Sequence, residues 1–312
     1  MNENLSSKHF TLKKVSEGIY AAIAKEGGGS VGNAGFIDLG GKLIVFDTFN
    51  TQQAAEDLKN MAINMTNHTV TLVINSHWHG DHIRGNQVFK DSQIISSYIT
   101  YEKMREIHPS RIKKQKNDLQ GLKNYIELLK EQLSKSKDPK LEHQINFLRE
   151  METSLPTLEL VLPHQTFINE MTFHGTKRSA KFFTWGGGHS DCDAILYIPE
   201  DKVIFMGDLL FVDSHPSFFE ESNPGNWIEI LEKVEKMDIQ QAVPGHGPIG
   251  TKNDLSKLRE YIIEISEIAS QSINPEDTPL PNKYQKWSSP EQFQNNIKRL
   301  KEFIVKREGD LR

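Results

Sequence analysis

The sequence predicts an α/β (α+β) fold, on three observations. Short runs rich in β-branched residues recur in both halves of the chain. An amphipathic segment at 51–64 separates two of them, the order that builds strand, helix, strand units. Charged stretches with apolar residues at helical spacing fill 101–155 and the last sixty residues. With 312 residues, 37% hydrophobic and 25% charged, the chain has enough apolar material for a large globular core.

The first half opens with strand patterns at "GIYAAIA" (18–24), "AGFIDLG" (34–40) and "KLIVFDT" (42–48). The helix at 51–64 follows, then the apolar run "TVTLVINS" (69–76), suited to a strand buried on both faces. Residues 101–155 carry Leu119, Leu122, Ile126 and Leu129 at helical spacing, and "SKSKDPK" (134–140) breaks the pattern, which predicts a helical hairpin. Strands return at 158–168, 181–185, 194–200 and 202–211. A helix is expected at 226–239, a strand and turn at "QAVPGHG" (241–247), and helices at 253–270 and 290–307. Ser289 and Pro290 read as the cap and first residue of the last helix.

Composition excludes several classes. A net charge of −5 gives no general reason to bind nucleic acid. The basic run "RIKKQK" (111–116) is set among acidic residues and reads as a solvated helix face. Cys192 is the sole cysteine, so no intramolecular disulfide or CxxC metal knuckle exists, and any metal must be held by nitrogen and oxygen. The N-terminal segment offers only "IYAAIA" as an apolar run, too short for a signal-peptide core, and no run approaches a membrane span; the expected location is cytoplasmic.

The stretch "SHWHGDH" packs His77, His79, Asp81 and His82 into six positions. If the preceding strand continues, residues two apart project to one side, so His77 and His79 can grip one ion. Gly80 allows a tight turn that offsets Asp81 and His82, which suits a second ion. Chance produces such a cluster in well under about one chain in a thousand. Three later positions, each near the end of an expected strand, complete a dinuclear set: His189 in "WGGGHSDCD", Asp208 in "VIFMGDLLF" and His246 in "AVPGHGP". Imidazole and carboxylate donors favour Zn²⁺, with Mn²⁺ or Fe as alternatives.

The series HWHGDH, GGGHS, GDLL and PGHG resembles the metallo-β-lactamase superfamily in order and spacing across about residues 15–250. The resemblance implies a four-layer αβ/βα sandwich with metals at one edge of two mixed sheets. It implies that His77, His79 and His189 bind one ion, that Asp81, His82 and His246 bind the other, and that Asp208 bridges them. Asp47, ending "IVFDT", matches the family's strand-terminal Asp and would orient ligands from behind. The chain is then one domain over 1–312, with the hairpin at 101–155 as an insertion and 251–312 as a C-terminal helical extension.

Two ions about 3.5–4 Å apart hold a bridging water, lower its pKa and present hydroxide to an electrophile. The expected activity is hydrolysis of a small ester, thioester, lactone or amide, with Asp81 as candidate proton acceptor. One β-lactamase branch has Cys where Asp208 stands, which argues against β-lactams as native substrate, although β-lactamase activity stays among the alternatives. A mononuclear iron oxidoreductase of the persulfide dioxygenase kind is another. The expected partner is a small molecule; no nucleic acid or membrane is expected, and the insertion or terminal helices could mediate a homodimer. "GGGSVG" (27–32) formally satisfies GxGxxG, but a strand pattern follows it, so it reads as a flexible loop at the site mouth rather than a dinucleotide site. The irregular, aromatic stretch 211–227 is the place expected to contact substrate, with His215 an exposed polar group in it.

Overall fold

The computed structural model describes residues 7–271, 274 and 278–310. The outermost residues of the 1–312 span, and 272–273 and 275–277 of the C-terminal extension, lie outside the described residues. The first sheet has seven strands in chain order: β1 (Phe10–Ser16), β2 (Ile19–Ala24), β3 (Ala34–Asp38), β4 (Leu43–Phe46), β5 (Val70–Ile74), β6 (Gln93–Ser97) and β7 (Gln165–Phe167). Short connections make β1 to β4 antiparallel, whereas longer crossovers make β4 to β7 parallel. The second sheet runs β12 (Gln241–His246), β11 (Val203–Phe211), β10 (Ile195–Ile198), β9 (Ser179–Phe183), β8 (Glu170–His174). Only β11 and β12 are parallel there.

The sheets pack face to face. Ile37, Phe46 and Ile74 of the first meet Phe182, Leu196 and Phe205 of the second, and the Phe46 and Phe205 rings sit 5.3 Å apart. Helix α1 (Gln52–Thr66) covers the first sheet's outer face with Ala54, Ala55, Leu58 and Ala62, one face of a 3.6-residue period. The Thr51 hydroxyl caps it, and Asn67 in the left-handed region ends it. Helices α6 (Pro224–Glu235), α7 (Lys252–Gln271) and α8 (Gln292–Asp310) cover the second sheet with Trp227, Ile230, Leu258, Ile262, Phe293 and Ile297. The result is the αβ/βα sandwich expected from the sequence.

The structure differs from the sequence expectation in four places. Strands β1, β6 and β8 were not expected, and the expected strand at 158–168 shrinks to Gln165–Phe167. Between β6 and β7 stand three helices, not a simple hairpin: α3 (Tyr98–Asn117), α4 (Leu119–Ser136) and α5 (Pro139–Ser154). Asp118 leaves helical geometry and ends α3, while the foreseen break at Lys137–Asp138 turns α4 back along α5. Finally, α8 begins at Gln292, because Ser288 bridges Ser214 and Ser289 is left-handed, which delays the helix beyond Pro290.

Phe205 fills the gap between sheets, so Phe205→Ala is expected to cost about 3–5 kcal/mol in urea unfolding; a cost below about 1 kcal/mol would mean the sheets close over the cavity. Buried His108 of α3 hydrogen-bonds through Nε2 to the Trp78 carbonyl at 2.7 Å, and burial lowers its pKa to about 4. The unfolded chain therefore binds more protons than the folded one between pH 6.5 and about 4. Stability is full above pH 6.5 and falls as pH drops through that window, by roughly 3 kcal/mol at most. His108→Gln, which keeps an N–H donor, is expected to flatten that fall; matching pH profiles for the two proteins would exclude His108 as its source.

Candidate metal centre

The candidate residues meet at the ends of β5 and β12 and at a distortion in β11. Strand β5 stops at Ile74, so His77 and His79 lie beyond it in a loop, not on an extended strand as expected. That loop is clasped by reciprocal amide hydrogen bonds between Asn75 and Asn86, at 3.0 and 2.9 Å. Gly80 opens the four-residue helix α2 (Gly80–Ile83), which carries Asp81 and His82. Asp208 stands within β11 rather than after it. The register of β11 against β12 slips on both sides of Gly207, whose φ is +53°, and this turns the Asp208 carboxylate toward the histidines. His189 sits on the loop between β9 and β10, and His246 ends β12.

Two groups result: His77, His79, His189 and Asp208, and Asp81, His82 and His246. Within each group the potential ligand atoms lie within 4.8 Å of one another. Asp208 reaches both groups, with Oδ2 3.1 Å from His189 Nε2 and Oδ1 3.0 Å from His82 Nε2. His246 Nε2 lies 3.3 Å from Asp208 and 3.5 Å from Asp81. His79 Nδ1 and His189 Nε2, both aimed inward, are 3.0 Å apart.

The outward nitrogens of His77, His79, His82 and His189 are occupied, and this sets their rings. The Ser76 hydroxyl donates to Asp47 Oδ2 at 2.7 Å and accepts from His77 Nδ1 at 2.9 Å. His82 Nδ1 donates to the same Asp47 oxygen at 2.8 Å, and the Ser76 amide donates to Asp47 Oδ1. His189 Nδ1 donates to the Ser217 carbonyl, and His79 Nε2 to Glu221 Oε1 at 3.2 Å. Each arrangement leaves the other ring nitrogen for the interior. The inner Nε2 of His77, Nε2 of His82 and Oδ1 of Asp208 are buried and make no hydrogen bond. Buried polar atoms left so are costly unless something answers them, and a divalent cation does.

Electrostatics point the same way. Burial pushes the Asp208 carboxyl up, but the histidines around it, His246 and His82 foremost, hold it well below the usual range. Burial would also raise Asp81, yet His82 and His246 keep it low and ionised. Burial lowers His82, but Asp208, Asp81 and Asp47 outweigh it and drive its pKa well above normal; His189 is raised in the same way by Asp208. His77 is lowered by burial and by neighbouring His82, so its inner lone pair stays free. The negative charge that raises His82 and His189 attracts a cation to the same nitrogens.

Several contributors had no clear sequence signal. Glu221 lies in the stretch singled out for substrate, where it lines the cavity and also supports His79. Asp193 is buried and accepts from the Gly188 and Ser190 amides and the Ser190 hydroxyl, fixing the turn that carries His189. His215 is buried, not exposed, and bonds Tyr261 and Tyr284. The 27–32 loop does reach the site mouth through Val31, but bonds to His9, Thr51 and Asn50 pin it in place. Cys192 is buried, and burial pushes its thiol far up.

An αβ/βα sandwich with histidines and carboxylates gathered at its sheet ends defines a class of metal-binding proteins. The chain belongs to the metallo-beta-lactamase superfamily, whose family model matches residues 27–246. It is 20% identical over 273 residues to "Metallo-beta-lactamase type 2" of Bacteroides fragilis, covering 85% of this chain and 90% of that one. It is 22% identical over 232 residues to "Beta-lactamase-like protein 2 homolog" of Caenorhabditis elegans, covering 74% of this chain and 60% of the relative. Among solved structures, the metallo-beta-lactamase from Pontibacter korlensis aligns with a TM-score of 0.56 at 15% identity, covering 81% of this chain and 99% of that one. DIM-1 metallo-beta-lactamase aligns with a TM-score of 0.56 at 17% identity, covering 82% and 98%. The residue clusters fit the metal site of such a fold.

Because Asp47 serves both His82 and, through Ser76, His77, Asp47→Asn is expected to weaken metal binding roughly 10–100-fold with the fold retained. Competition with a chromophoric chelator measures this, and unchanged affinity would remove Asp47 from the orienting role.

Proposed function

We propose that the chain is a metal-dependent hydrolase that holds two zinc ions and cleaves a small ester, thioester, lactone or amide. The observation that carries this reading is the convergence of seven donors, four of them histidines whose outward nitrogens are already engaged by Asp47, Ser76, Ser217 and Glu221. His77, His79 and His189 would hold one ion, Asp81, His82 and His246 the other, and Asp208 both. When bound, such ions supply Lewis acidity, polarising an acyl oxygen and lowering the pKa of water. Membership of the superfamily supports the metal chemistry at a coarser level than substrate.

The chain's own residues supply the rest. A cavity of about 620 Å³ contains His79, His189, Asp208 and His246, a size suited to a small molecule. Phe219 packs edge-on against His79 and His189, and Phe211 stacks on His246, so apolar rings exclude water beside the ligands. Asp81 is partly exposed to the cavity and ionised, which lets it receive a proton as products form; the flanking histidines make it a weak base. Among the described residues no helix is long and apolar enough to cross a membrane. A cytoplasmic location belongs to the same proposal, since the lone buried cysteine leaves the fold independent of an oxidising compartment.

Elemental analysis of the purified protein is expected to find about two zinc ions per chain. A panel of lactone, thioester, phosphodiester and β-lactam substrates is expected to show turnover of acyl compounds, lost in His77→Ala with the fold retained. A single iron with thiol-dependent oxygen uptake would overturn the hydrolase in favour of the oxidoreductase. Full activity of His77→Ala would remove this cluster from catalysis.

A further inference from the structure

A second cavity, of about 650 Å³, adjoins the histidine cluster and shares Val31, Gly80 and Asp81 with it. Its far wall is the insertion: Leu122 and Tyr125 of α4, and Phe147, Leu148 and Met151 of α5. Its near end holds Arg84, one turn beyond the HWHGDH loop, with its guanidinium packed against Gly80. Arg84 is only 9% exposed, and its hydrogen-bond partners are neutral amides: Gln115 Oε1 at 2.8 Å and Asn50 Oδ1 at 3.4 Å. Its Nε makes no hydrogen bond. Asp81 acts on it from beyond ion-pair distance and Asp118 also lines the groove, but no carboxylate among the described residues pairs with it, and nearby Arg111, stacked over Trp78 at 4.9 Å, adds a second positive charge without an ion-pair partner among them. A buried cation with no anion in direct contact gains from one that arrives.

We propose that this groove takes the apolar body of the substrate while Arg84 anchors a carboxylate on it, so the native substrate is an amphipathic monoanion. Its acyl bond would then reach the histidine cluster through the opening shared at Gly80 and Asp81. The placement of that bond rests on the hydrolase reading; the anion and the apolar body do not. A carboxylate fits better than a phosphate. One guanidinium with two of its nitrogens already engaged can serve a single charge, whereas phosphate sites gather more donors. The insertion explains the apolar part: α4 and α5 turn Leu122, Phe147 and Leu148 toward each other and toward the groove, although they stand among charged residues in sequence.

The test is equilibrium binding of straight-chain carboxylates, hexanoate to decanoate, to the as-purified full chain by titration calorimetry. Affinity is expected to rise roughly threefold per added methylene, following burial of apolar surface. Decanol is expected to bind at least tenfold more weakly than decanoate. Arg84→Gln is expected to lose that tenfold preference while decanol binding persists, which a general collapse of the groove would not spare. Should that variant not fold, Tyr125→Glu, at a 44% exposed position on α4, places a competing charge in the groove and is expected to weaken decanoate about tenfold relative to acetate. Equal affinity for decanoate and decanol, a flat dependence on chain length, displacement of decanoate by inorganic phosphate at lower concentration, or indifference to both substitutions would each overturn the proposal. Decanoate binding as expected, without hydrolysis of any acyl substrate, would sink the hydrolase reading and leave the groove standing. Hydrolysis without selective decanoate binding would do the reverse.

Discussion

A single buried carboxylate organises the end of this sandwich. Asp208 is 4% exposed, and a charge so placed is tolerated only when cations or strong donors surround it. Its neighbours are four imidazoles brought from a loop after β5, a loop after β9 and the end of β12. The backbone has to yield for them to come so close. A Cβ at Gly245 would stand 1.9 Å from Asp208 Oδ1, and one at Gly207 would stand 2.7 Å from the Ser76 side chain. Gly207 also takes a φ of +53°, a conformation that an L side chain adopts at a cost. Glycine before Asp208 and before His246 is therefore a requirement of this close gathering and not an accident of turns.

The packing of the sandwich serves the same point. Strand β11 is buried along all nine residues, flanked by β10 and β12 and covered on both faces. The strand carries its bulge and its carboxylate while the apolar contacts of Phe205, Met206, Leu209 and Leu210 hold it on either side. Trp227 ties the outer helix to the site, donating from Nε1 to the Leu209 carbonyl while its ring packs against His189. Core and centre are thus one structure, and a loss in either reaches the other.

The candidate donor set was legible because metal chemistry restricts residue type and because strands must end where loops begin. HWHGDH, GGGHS, GDLL and PGHG each combine a donor with a glycine, and the structure brings all seven donors together. The two central sheets were mostly legible too, since their strands are continuous apolar runs. What escaped follows from weaker physics. β1, with the sequence FTLKKVS, sits at an edge of the first sheet and is only partly buried; β8, EMTFH, is at an edge of the second with one buried residue. Such strands carry no run to recognise. The break at Asp118 lies within a continuous helical pattern, and its cause is local backbone geometry without proline. Ser289–Pro290 has the right residues for a helix start, but pairing of Ser288 with Ser214 overrides them.

Apart from Asp47, which IVFDT pointed to, the supporting residues were the least legible, for a reason that bears on specificity. A ligand is fixed by chemistry, whereas any donor or acceptor of suitable reach can orient it. His77 and His82 share Asp47 at the end of β4; His189 relies on Ser217 and His79 on Glu221, both in the irregular segment after β11. That segment and the 98–154 insertion also build the walls of the two cavities. The basic run at 111–116 shows how a local reading misleads. Lys113 and Lys114 do face solvent, but Arg111 stacks on Trp78, Ile112 is buried, and Gln115 holds Arg84. One helix face therefore presents charge to water while the other sets the polarity of the groove beside the histidines. The apolar wall that α4 and α5 give the groove is thus built from residues other than those gathered around Asp208, and the two cavities meet only at Val31, Gly80 and Asp81.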